Sequence, residues 1–112
     1  AVSPEDDVEV RRVSLANRGD RPREIEVTSY VEPVLGAATD DYAHPAFGNL
    51  FVETEWHDWC HAITATRRPR SAGERTLWCV HVVDTCSCTV GPVTCETDRA
   101  GLVGRGRTTR SC

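Results

Sequence analysis

Residues 24–35 read EIEVTSYVEPVL. Ile25, Val27 and Val31 alternate with Glu24, Glu26, Thr28 and Glu32, with Ser29 and Tyr30 in step. Side chains two apart share one face of a strand, so this pattern predicts an extended segment with one apolar and one solvated face. Upstream, Val8–Leu15 reads as a second strand. Its parity changes at Arg11-Arg12, where a β-bulge would fit. Between the two, Asn17-Arg18-Gly19-Asp20-Arg21-Pro22 is built from turn-forming residues, and the three pieces together predict a hairpin.

Downstream the same grammar repeats in shorter units. Leu50–Trp56 places Phe51, Glu53 and Glu55 on one side and Leu50, Val52, Thr54 and Trp56 on the other. Ala62–Thr66, Thr76–Thr85 (TLWCVHVVDT) and Val93–Thr97 follow as strands, with a turn at Arg67–Gly73 and a Gly/Arg loop or chain end at Asp98–Arg110. No segment sustains a 3.6-residue period. About six short strands with turns between them predict an all-β chain, an antiparallel β-sandwich or part of a larger one, forming one domain or domain fragment over residues 1–112.

Composition narrows the functions. The 112 residues are 39% apolar and 27% charged, within reach of one folded domain. A net charge of −4 argues against a nucleic-acid binder, which needs a basic footprint. No apolar run reaches the roughly 20 residues of a membrane helix, so no membrane contact is expected of this segment. No leader-like opening and no methionine are present, and the chain reads as a piece of a longer protein.

Several residues carry chemistry. Glu53 and Glu55 lie on one strand face, unlike a glycosidase pair that flanks its bond from two sides, and they read as solvated. Trp56 and Trp59 flank a turn; they would stack on a sugar ring or close the core. Trp78 and Cys79 read as core. His57, Cys60 and His61 have ligand-like spacing, but nothing makes four donors converge, so neither a metal nor another cofactor is expected. Six cysteines permit disulfides without requiring them, and free thiols, disulfides and a metal site all stay open. Arg99, Arg105 and Arg107 stand among glycines and could grip a phosphate or sugar with their guanidinium forks, while Pro45 holds His44 extended.

Three stretches, SPEDDVEVRRVSLANRGDRPREIEVTSYVEP (Ser3–Pro33), AHPAFGNLFVETE (Ala43–Glu55) and ETDRAGLVGRGRT (Glu96–Thr108), with ATRRPR at Ala65–Arg70, resemble the β-sandwich region of glycoside hydrolase family 94, formerly glycosyltransferase family 36. The cyclic β-1,2-glucan synthase branch is the nearest in appearance. The segments His57–His61 and Asp84–Cys95 depart from the family. The resemblance implies a parent enzyme acting on β-linked glucans by phosphorolysis, on the cytoplasmic side of a bacterial inner membrane, with reduced thiols. It places the chemistry in a following helical barrel, so no catalytic residue falls in this chain. The chain would support that barrel, with the remainder of the parent as its partner, and would contact β-glucan or an oligosaccharide through His44, Arg99, Arg105, Arg107, Trp56 or Trp59. Two other readings stay open: an independent carbohydrate-binding module, and a cysteine-stabilised secreted interaction domain. Cut from a larger sandwich, the chain is expected to self-associate through uncovered strand edges.

Overall fold

A computed structural model describes residues 1–37, 39, 50–85 and 91–104. Three antiparallel strands in the order β1-β2-β3 make its sheet: β1 (Val52–His57), β2 (Ala62–Arg67) and β3 (Trp78–Val82). All three lie within or beside the stretches that sequence alternation marks as strands. A single 3₁₀ turn, Asp58–Cys60, joins β1 to β2. It closes with His61 in the left-handed region at φ 49°, where its N–H donates to the Asp58 carbonyl at 3.4 Å. The β2–β3 connection folds back at Ser71–Glu74, whose Glu74 N–H donates to Ser71 O at 3.2 Å.

The register sorts the side chains. Thr54, Ala65 and Cys79 stand in one row, and Trp56, Ile63 and His81 in the next. This face is covered by the segments 29–35 and 96–103, and the buried Leu35, Ala65 and Val103 form the small core there. The opposite face carries Glu53 and Glu55 on β1, Thr64 and Thr66 on β2, and Trp78, Val80 and Val82 on β3. Both glutamates are exposed, as expected. Trp78 is not core: it is 64% exposed, because its face has no covering layer among the described residues. Cys79 lies on the covered face and is half-buried.

Two predicted strands form no ladder. Val8–Leu15 is limited to an isolated bridge, Val2 to Glu9, with the Ala1 ammonium donating to Val10 O at 2.7 Å. Glu24–Leu35 has no sheet partner among the described residues. The turn between them does form: Asn17 Oδ1 accepts from Gly19 N–H at 3.0 Å, and Asn17 Nδ2 donates to Arg21 O at 2.7 Å. Period-two alternation signals a face to be buried but not what buries it, and here Val8, Val13, Leu15, Ile25 and Val27 remain exposed.

Val93–Thr97 likewise is not a strand. The Glu96 carboxylate accepts from Asp98 N–H at 2.7 Å and bends the backbone into a short helix, α1 (Arg99–Val103). Such local side-chain bonds compete with sheet pairing. Asp98 caps α1 by accepting from Ala100 N–H at 2.9 Å, and Gly104 ends it at φ 86°.

Candidate functional site

The covered face of the sheet does not meet its cover completely. A groove of about 280 Å³ runs between the sheet and the two covering segments, floored by Val52, Ile63, Ala65 and Cys79 and walled by Tyr30 and Leu102. His81 lines it with Nε2 buried and without a hydrogen-bond partner among the described residues.

A polar cluster ties the two covering segments together at this groove. Tyr30 Oη donates to Glu32 Oε1, and Arg99 Nε donates to the same oxygen at 2.7 Å. The Tyr30 hydroxyl and then the Arg99 guanidinium hold the Glu32 carboxyl below the ordinary glutamate value. The hydrogen bond to Glu32 pushes the Tyr30 hydroxyl up, and the same carboxylate raises Arg99. Sixty-seven residues separate Arg99 from Glu32, so sequence spacing gave no sign of the pair. Of the expected contact residues, Arg99 therefore sits at the groove with its Nε engaged by a carboxylate.

The tryptophans separate. Trp56 is half-buried and stacks on His61, with ring centroids 6.3 Å apart and planes at 18°. Trp59 points outward from the β1–β2 turn and is 86% exposed. His57 Nε2 bonds Thr64 Oγ1 at 3.0 Å across the strands, which gives it a packing role. His44, Arg105 and Arg107 lie outside the described residues, as do Cys86, Cys88 and Cys112. Cys60, Cys79 and Cys95 carry free thiols. Among the described residues no three His, Cys, Asp or Glu side chains converge as metal ligands, and no helix is long and apolar enough to cross a membrane.

One residue of the RRPR turn was missed as anything but a turn residue. Arg67, the last residue of β2, is buried at 7% exposure, with Nη1 donating to Leu35 O at 3.0 Å. Only the register shows why: Arg67 shares its face with Ala65 and Ile63, under residues 35 and 36.

Two comparisons place this architecture. The family model described as "Glycosyl hydrolase 94, supersandwich domain" matches residues 1–112. The chain is 40% identical over 107 residues to the cyclic beta-(1,2)-glucan synthase NdvB of Rhizobium meliloti (strain 1021). That match covers 96% of this chain and 4% of the relative's length. No solved structure matches the chain. The family match bears out the all-β sandwich expectation, to which the three antiparallel strands contribute one layer.

Proposed function

This chain belongs to the glycosyl hydrolase 94 supersandwich-domain family, and on that premise we propose that it is a non-catalytic β-sandwich portion of a larger carbohydrate-active enzyme. The observation that carries this reading is the family match across the whole chain, on a sheet whose Trp78–Val80–Val82 column is uncovered among the described residues. Such a column is the natural seat of another layer of the parent. The parent, by this chain's likeness to a cyclic beta-(1,2)-glucan synthase, acts on β-linked glucans. Its chemistry lies in a helical barrel outside this chain, on the cytoplasmic side of the inner membrane.

In this reading the sheet supports that barrel, and any contact with glucan or phosphate belongs to Arg99 at the start of α1 and to His44, Arg105 and Arg107, not to the sheet faces. General acid catalysis needs a positioned carboxyl, and Glu32, which lines the groove with Glu96 and Asp98, is drawn towards its ionised form by Tyr30 and Arg99. The 112-residue chain incubated with β-1,2-glucan and inorganic phosphate should release no glucose 1-phosphate. Release would overturn the reading.

A second reading, an independent carbohydrate-binding module, rests on the exposed Trp59, whose ring is free to stack on a sugar. Calorimetry of the chain with β-glucan separates the two. Saturable heat lost in Trp59→Ala supports the module, and absence of heat supports the structural role.

A further inference from the structure

We propose that Arg67 is the seat of a buried oxyanion, a carboxylate or phosphate group that grips the free edge of its guanidinium. An arginine side chain keeps its charge under all conditions a folded protein meets. Burying that charge without a counter-charge is costly, and native structures pair it. Arg67 is 7% exposed, yet its single hydrogen bond among the described residues goes to a neutral carbonyl, Leu35 O. Its Nε and Nη2 are buried with no acceptor among the described residues.

Those two atoms are not scattered vacancies. Nε and Nη2 lie side by side on one edge of the guanidinium, and their N–H bonds run parallel, spaced to meet two oxygens of one anion. The same chain uses that edge elsewhere. Arg11 Nε donates to Glu9 Oε1 at 2.8 Å and Arg11 Nη2 to Glu9 Oε2 at 3.0 Å. At Arg67 one N–H of the third nitrogen, Nη1, is taken by Leu35 O, and the Nε/Nη2 edge has no acceptor among the described residues.

The surroundings hold the fork rigidly. Gly36 packs so closely that a Cβ there would stand 2.4 Å from Nη1. The backbone of Arg67 is paired in β2 opposite Val52. The neighbouring Arg68 already pairs with Glu53 at 2.8 Å on the exposed side and does not compete for an anion. A fixed, shielded fork of this kind binds by orientation as well as charge, unlike the solvated arginines of the same chain.

The test reads the Arg67 Nε–Hε resonance of the ¹⁵N-arginine-labelled chain by NMR while inorganic phosphate, acetate or chloride is added at matched ionic strength. Phosphate or acetate should shift that resonance and slow its exchange with water about tenfold relative to chloride, the factor a charge-assisted hydrogen bond supplies. A response to phosphate alone assigns a phosphate group. A response to acetate as well assigns a carboxylate, as a protein side chain would offer. Thermal melts give the second readout: the anion should raise the Tm of the native chain but not of Arg67→Lys, which keeps the charge and lacks the fork. No response of Hε to either oxyanion, or an equal rise in Tm for Arg67→Lys, overturns the proposal.

Discussion

Gly36 earns its place by contact with Arg67. A methyl group there would overlap Nη1 at 2.4 Å, and the guanidinium is buried and bonded to Leu35 O, so it has little room to yield. Gly36→Ala should therefore cost about 1–3 kcal/mol, the usual penalty of overpacking. Urea titration should show a lower midpoint, and an unchanged midpoint would mean that the Arg67 side chain moves freely. Glu32 makes a different prediction. Its carboxyl is lowered by Tyr30 and Arg99, so its contribution to stability is present above the ordinary glutamate value near 4.5 and is lost as pH falls through the lowered one. Tyr30 has the opposite sign: its hydroxyl is raised, so its contribution holds below about pH 10 and is lost as pH climbs past that. A ¹³C titration should place the Glu32 midpoint under 4.5 and move it back toward 4.5 in high salt, since the cluster is solvent-exposed and screened. A midpoint at or above 4.5 in low salt would contradict the Tyr30–Glu32–Arg99 geometry.

At the scale of elements, what could be read from sequence divides along one physical line. Turns are decided within four or five residues, and this one was legible: Asn17 does close its turn through Gly19 and Arg21, whereas the equally local Asp98 cap of α1 was not read. The parity of β1 was legible too, because Glu53 and Glu55 stand on the solvated face while Val52 and Thr54 line the groove. Partners were not legible. Val8–Leu15 and Glu24–Leu35 alternate as strands do, yet neither finds a ladder among the described residues. The Glu32–Arg99 pair and the burial of Arg67 were hidden for the same reason, since each depends on residues more than thirty positions away. Strand β3 shows the consequence. It is an edge strand whose Trp78, Val80 and Val82 face solvent together, a template for pairing with another chain. Val80→Lys places a charge in the middle of that column without touching the core. It should shift the chain toward monomer in sedimentation velocity while changing its stability by less than about 1 kcal/mol. Equal association of both variants would move the sticky surface away from β3.

The whole molecule exposes more surface than a self-contained domain would. Its accessible area is 10201 Å², whereas a folded monomer of 12.4 kDa is expected to show roughly 6,100 Å². Its radius of gyration is 17.0 Å against about 13 Å for a compact domain of this length. Large apolar side chains are among those left in water, including Val2, Val13, Leu15, Leu50 and Trp59. Taking the unfolded chain at about 1.45 Å² per dalton, folding buries roughly two-thirds of what an autonomous domain of this mass would bury. Denaturant sensitivity scales with that area, so the m-value of the isolated chain should be about two-thirds of the value for a self-contained domain of equal length. Association covers exposed apolar area only in the folded state, so the Tm should also rise with protein concentration. Joined to a longer polypeptide that covers the Trp78, Val80 and Val82 column, the same sheet should unfold with a steeper m-value per residue and a Tm independent of concentration. A full-sized m-value with a concentration-independent Tm for the 112-residue chain alone would show that it closes its own core, and would remove the physical reason for reading it as one layer of a larger sandwich.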